Sequence, residues 1–185
     1  CEAFPKDRLV VLDLAGGRSS GDGFWGYKFV KGQLHNFGGR INMHGDLSYV
    51  ASNPFAHTAK AKPLCAGLGL FPESIEQNPV FYNMVFDMVW RTEAVEVEDW
   101  LASYARRRYG KESANAVAAW KLLLEGPYAR GTNGVERSSI IAARPALVAK
   151  KSGPNAGFQI TYDPQSLVLA LELLLKDSEQ FKHSK

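Results

Sequence analysis

Two cysteines, Cys1 and Cys65, are all that the 185 residues contain, too few to read as a disulfide framework or a thiolate metal site. They leave the redox compartment open. No apolar run approaches the roughly 20 residues that a membrane-spanning helix needs, and no signal-peptide pattern is present. Neither sign of charge dominates: 22 Lys and Arg stand against 19 Asp and Glu, a formal net charge of +3. The basic residues are dispersed apart from Arg106-Arg107-Arg108, which argues against a dedicated nucleic-acid surface. The chain shows no internal repeat and does not open on Met. It enters a strand-like run within a few residues of Cys1, so it is expected to be a piece of a longer protein. What is present is ordinary globular material, 45% apolar and 22% charged, enough for a sizeable core.

The first half reads as strand and loop, the second as helix. Leu9 to Leu14 is an almost continuous apolar run, the pattern of a buried parallel strand. Ala15 to Gly26 is rich in Gly and Ser and predicts a long loop. Phe29 to Phe37 predicts a second strand ending at His35-Asn36, and Pro63 to Gly69 a third. A short helix fits within 42–57. From Asn78-Pro79 onward helices take over, with Asn at the cap and Pro in the first turn. Val80, Met84, Val85, Met88 and Val89 recur at helical spacing, so this helix should reach about Arg91. Helices are further predicted from Glu98 to Tyr109 with Gly110 as the stop, after Ser113 as a cap, and after Asp163-Pro164. The stretch from Gly126 to Tyr162 is long for a loop within one compact domain. Its piece Phe158 to Tyr162 reads as extended.

The segment most suggestive of chemistry is Gly67-Leu68-Gly69-Leu70-Phe71-Pro72-Glu73-Ser74-Ile75. It sets a single carboxylate, Glu73, on a Gly- and Pro-shaped exit from a strand, where barrel enzymes present a catalytic acid or nucleophile. By itself Glu73 is equally a solvated residue near a helix start, where negative charge is favoured. Upstream stands Gln33-Leu34-His35-Asn36-Phe37-Gly38-Gly39-Arg40. Leu34 to Gly39, Gly67 to Ile75 and Gln77-Asn78 leading to Tyr82 together resemble the alpha-N-acetylglucosaminidases of glycoside hydrolase family 89. The likeness continues through Trp90-Arg91, Tyr104 to Gly110, Ala119 to Leu124 and Ala143 to Leu147, nearly the whole chain in collinear order.

That resemblance implies α/β then all-α: residues 1–92 as the end of a (β/α)8-type catalytic barrel and 93–185 as the start of a helical C-terminal domain. It implies a retaining exo-glycosidase that removes terminal alpha-linked N-acetylglucosamine from glycans, with Glu73 as the nucleophile and no metal or organic cofactor. Retaining glycosidases use two carboxylates, and the family's second one falls before Cys1, so the piece is expected to be inactive without the remainder of the parent chain. The implied partners are the glycan and that remainder, not nucleic acid or a membrane span. The implied compartment is periplasmic or secreted in a bacterium, lysosomal in an animal. His35 and Asn36 would line the sugar subsite, where imidazole and amide offer both donors and acceptors. From spacing alone they could instead cap the strand and shape the following turn.

Other residues have blander readings. Glu76, Asp46 and Asp13 fit a helix-dipole contact, a cap or turn, and a strand end. Arg106 to Arg108 fits a solvated helix flank. Trp90, Trp100 and Trp120 fit a core, as does Phe37, whereas Trp25 and Tyr27 are weak candidates for stacking on sugar. Two departures from the family pattern stand out. Lys31-Gly32-Gln33 occupies the place of a usual Trp-Cys-Met, trading an apolar wall for a charge, and Ser74 replaces Gly. A non-catalytic carbohydrate-binding or structural module on the same scaffold is the rival expectation.

Overall fold

The computed structural model describes residues 4–15, 24–36, 43–73, 77–131, 147–148 and 162–182. Three parallel strands come first: β1 (Val10–Asp13), β2 (Lys28–His35) and β3 (Cys65–Pro72), side by side in chain order. Parallel neighbours need crossovers, and between β2 and β3 this is supplied by α1 (Leu47–Ala51) and α2 (Pro54–Ala61). Four helices follow β3 in the main body: α3 (Pro79–Val89), α4 (Val97–Tyr109), α5 (Ala114–Glu125) and α6 (Gln165–Lys176). A short α7 (Ser178–Phe181) ends the description. The extended piece expected at 158–162, apart from its last residue Tyr162, and Phe37 with the turn after it, lie outside the described residues.

Helix ends follow local chemistry. Asp46 caps α1 by accepting from the Tyr49 amide at 2.7 Å. Ser113 caps α5 through the Ala116 amide at 2.8 Å, and Gly110 ends α4 in the left-handed region at φ 72°, where an L side chain would be strained. Trp25 (φ 52°) and Gly26 (φ 78°) form a two-residue turn closed by Phe24 and Tyr27, the geometry of a tight hairpin turn. Among the described residues no helix is long and apolar enough to cross a membrane.

One apolar core runs from Leu47 through Phe81, Met84, Trp100, Tyr104 and Trp120 to Ala170, joining the helices around the sheet to those of the second half. Trp100 stacks on Tyr104, whose ring meets Trp120 edge-on, and the Trp100 indole N–H donates to Asp87 at 2.6 Å, tying α4 to α3.

Three expectations need correction. β1 is parallel but not buried: Val10 and Leu12 stand 49% and 60% exposed, because the helices lie on the other face of the sheet, from which Lys31 reaches α2. Trp90 is no core residue. It follows the last residue of α3, off the helical period, and is 87% exposed. Tyr27 cannot stack on a sugar, since its ring is buried and its hydroxyl donates to the Phe4 carbonyl at 2.8 Å. Trp25, at the tip of the turn, is exposed.

Candidate active site

β2 and β3 are in register at their C-terminal ends, with His35 beside Pro72. The chain leaves both strands at the same level, and the Glu73 amide donates to the Asn36 carbonyl at 3.2 Å. The two sequence segments that stood out are therefore neighbours, at the edge of a parallel sheet where barrel enzymes carry their chemistry. Glu73 is exposed, while His35 and Asn36 are buried.

Asn36 sits at φ 51°, a conformation that Asn tolerates better than most residues and that surroundings must hold in place. Its side-chain oxygen accepts from Nε2 of His44 at 2.8 Å and from Nδ2 of Asn78 at 3.3 Å. Asn78 in turn accepts from the Tyr128 hydroxyl at 2.9 Å and from the His44 amide at 3.4 Å. Asn78 thus occupies the cap position of α3 without making a side-chain cap bond; its amide is spent on the network, which corrects the role expected of it. Burial pushes the Tyr128 hydroxyl well above the usual tyrosine range, so it remains a donor at neutral pH.

His35 lies between two flat rings, His44 at 4.0 Å and Phe81 at 4.4 Å between centroids, with Tyr82 edge-on at 5.3 Å. Gly45 (φ 139°) is required here, for a side-chain carbon at that position would come within 2.5 Å of the Phe81 ring. Burial first, and the neighbouring His44 second, hold the His35 imidazole down to a pKa of about 3. It is neutral at any ordinary pH. Among the described residues, neither His35 Nε2 nor the Tyr82 hydroxyl has a hydrogen-bond partner.

The Lys31-Gly32-Gln33 departure has a structural explanation. Lys31 donates to Thr58 Oγ1 at 2.8 Å and to the Pro54 carbonyl at 3.4 Å, both on α2. Its half-burial lowers its pKa. The ammonium is committed to a helix rather than contributing charge to a sugar pocket. At Gly32 any side chain would meet the backbone carbonyls of Asp13 and Leu14, at 2.1 and 2.4 Å. Glycine is what lets the end of β1 lie against β2.

The bland readings of the other carboxylates hold where they can be followed. Asp46 spends one oxygen on the α1 cap and the other on the Gly131 amide at 2.6 Å. Asp13 is buried at the end of β1, and Glu76 lies outside the described residues. Arg106 pairs with Glu112 at 3.7 Å, and Arg107 bonds Ser103 while lying over the Trp100 ring; both belong to a helix flank. Among the described residues no group of three or more His, Cys, Asp or Glu is arranged to hold a metal. His44, Phe81 and Tyr128 were not singled out beforehand. The one local sign of the first is that it stands two residues before Asp46, the cap of α1.

A parallel sheet delivering loops to one end, followed by a helical body, is part of a (β/α)8-type barrel joined to a helical domain. Comparison with known proteins agrees. The alpha-N-acetylglucosaminidase tim-barrel domain model matches residues 1–92 and the C-terminal domain model of the same enzymes matches residues 100–185. Alpha-N-acetylglucosaminidase of Homo sapiens is 34% identical over 181 residues, which make up 94% of this chain and 23% of the human protein. A family 89 glycoside hydrolase from Clostridium perfringens, solved in complex with PUGNAc, superposes with a TM-score of 0.81 at 29% identity, covering 98% of this chain and 21% of its own. A form of that enzyme with two Glu-to-Gln substitutions, in complex with its substrate GlcNAc-alpha-1,4-galactose, superposes with a TM-score of 0.79 at 29% identity, covering 97% and 21%. The chain belongs to the alpha-N-acetylglucosaminidase family, glycoside hydrolase family 89. It spans less than a quarter of the length of these relatives.

Proposed function

We propose that the chain is part of a retaining exo-glycosidase that hydrolyses terminal alpha-linked N-acetylglucosamine from glycans, with Glu73 as its nucleophile. The observation that carries this reading is the meeting of the two family segments: an exposed carboxylate just after β3, its amide tied to the residue just after β2. In the first step a Glu73 oxygen bonds to the anomeric carbon and the glycosidic C–O bond breaks. An acid elsewhere in the parent chain gives its proton to the leaving oxygen. Water, deprotonated by that same group, then displaces Glu73 and restores the original anomeric configuration. No metal or organic cofactor enters this scheme.

His35 and Asn36 form the floor of the sugar subsite in this reading. Their side chains are buried, and their contribution is to hold the strand ends against which the sugar lies. Residues 1–92 are the end of the catalytic barrel and 93–185 the start of the helical domain. The remainder of the barrel covers the exposed face of β1, where Val10 and Leu12 stand ready to be buried. The compartment follows the same family reading: periplasmic or secreted in a bacterium, lysosomal in an animal.

The test is the full-length protein assayed on an aryl alpha-N-acetylglucosaminide, with and without Glu73→Gln. Loss of at least about a thousandfold in kcat is expected, as for other covalent nucleophiles, and NMR of the first-formed sugar should show the alpha anomer. Equal turnover by both versions removes Glu73 from the mechanism. Sugar binding without turnover by either points to a non-catalytic module.

A further inference from the structure

Three contacts lead from the helical half of the chain to the backbone of Glu73. The Tyr128 hydroxyl donates to Asn78 Oδ1 at 2.9 Å, Asn78 Nδ2 donates to Asn36 Oδ1 at 3.3 Å, and the Asn36 carbonyl accepts the Glu73 amide at 3.2 Å. The three connecting side chains are 3%, 2% and 0% exposed respectively. We infer that Tyr128 is a positioning residue for the nucleophile, the group through which the helical region sets the direction of the loop carrying Glu73. This rests on the function proposed above and adds to it a residue far away in sequence.

The chemistry of the amide gives the contact its leverage. An Asn side chain can be turned end for end at little cost in shape, and its hydrogen-bond partners decide which end is oxygen. At Asn78 the side-chain oxygen accepts from the Tyr128 hydroxyl and the His44 amide, which leaves the NH2 to donate to Asn36 Oδ1. Removing the hydroxyl takes the 2.9 Å donor from Asn78 Oδ1 and leaves the 3.4 Å contact from the His44 amide, so the Asn78 amide is held less firmly against Asn36. Asn36 depends on its partners more than most residues do, because they hold it in the left-handed region (φ 51°). Its carbonyl direction changes if φ and ψ relax, and the Glu73 amide follows that carbonyl.

Tyr128 itself is well anchored. Its amide donates to Leu123 at the end of α5 at 3.0 Å, and its carbonyl accepts the Leu47 amide at the start of α1 at 3.4 Å. The backbone of Tyr128 is therefore tied both to an element of the helical half and to one beside the sheet. A small displacement of a reacting group costs rate far more than it costs substrate affinity, since many other contacts hold the substrate.

The full-length protein carrying Tyr128→Phe, which keeps the ring and removes only the hydroxyl, should lose about tenfold in kcat on the aryl glycoside, with KM changed by less than about twofold. Asn78→Ser cuts the same relay while leaving a good cap residue at the start of α3, and should show the same split; it carries the test if Tyr128→Phe does not fold. Ser113→Ala, which weakens α5 away from the relay, serves as the stability control and should lower Tm with kcat unchanged. Wild-type kcat in Tyr128→Phe or in Asn78→Ser overturns the inference, as does an equal loss of kcat in the control. Glu73→Gln separates the two levels. If it is inactive while Tyr128→Phe turns over normally, only the positioning role falls; if Glu73→Gln is fully active, the proposed function itself falls.

Discussion

The sheet and the helical region are built from equally apolar sequence, yet they close their surfaces in different ways. α4 and α5 find what they need within the chain: Trp100, Tyr104, Trp120 and Leu123 pack on one another, and Ser113 and Gly110 satisfy or end the helix termini. The strands do so on one face only. Phe29 is fully enclosed with the Phe24 ring edge-on to it, whereas Val10 and Leu12 on β1 are about half-exposed or more. A helix can bury its apolar stripe against one or two neighbours, but a barrel strand requires a closed ring, and its inner face is covered by strands distant in sequence. The contrast explains why the strand ends that carry His35, Asn36 and Glu73 are read from local pattern while the partner of the exposed β1 face is not.

The largest effect expected on stability comes from acid. The His35 pKa is about 3 in the folded chain against 6.5 for the free side chain. Between those values the unfolded chain binds a proton that the folded chain does not. Stability present above pH 6.5 is therefore lost as pH falls toward 3, at up to roughly 1.4 kcal/mol per pH unit and a few kcal/mol in all. Urea melts at pH 7 and pH 4.5 should show the loss, and His35→Phe, which keeps a ring between His44 and Phe81, should flatten the acid side. An unchanged slope would mean that other groups dominate the acid response.

A smaller effect sharpens the contrast between the two regions. Leu12→Asn should change the stability of residues 1–185 by less than about 0.5 kcal/mol, as at an exposed position. In the full-length protein it should cost about 2 kcal/mol, because the closed barrel would bury that side chain. Equal effects in the two contexts would mean that the exposed face of β1 stays exposed. In the self-sufficient region the context should make no difference: loss of the α5 cap in Ser113→Ala should cost about 1 kcal/mol at either length. Thermal melts of both lengths would check this.

Much of this architecture could be read in advance. The strand ending at His35-Asn36, the strand before Glu73, the helix stop at Gly110 and the helix start at Ser113 all follow from local chemistry that acts over a few residues. The pairing of the two motif segments was legible too, through the family likeness. What could not be read was where side chains go once the chain leaves a regular element. Trp90 loses the helical period one residue after α3 ends and turns outward. Asn78 has every local mark of a cap and bonds residues distant in sequence instead. Tyr128 falls at the edge of a stretch with no period at all, so nothing near it in sequence signals its partner. Lys31 suggested an added charge at the site because a strand's alternation does not reveal which helix will lie across it.

Asn36 illustrates a trap for anyone who would improve this scaffold one position at a time. Its backbone angle suits glycine, so a local score would favour that exchange and a melting curve could even reward it. The same exchange would delete the oxygen on which His44 and Asn78 converge. A sturdier chain would then be one whose strand ends are tied less firmly together, and thermal screening alone would select against the residue on which those ties converge.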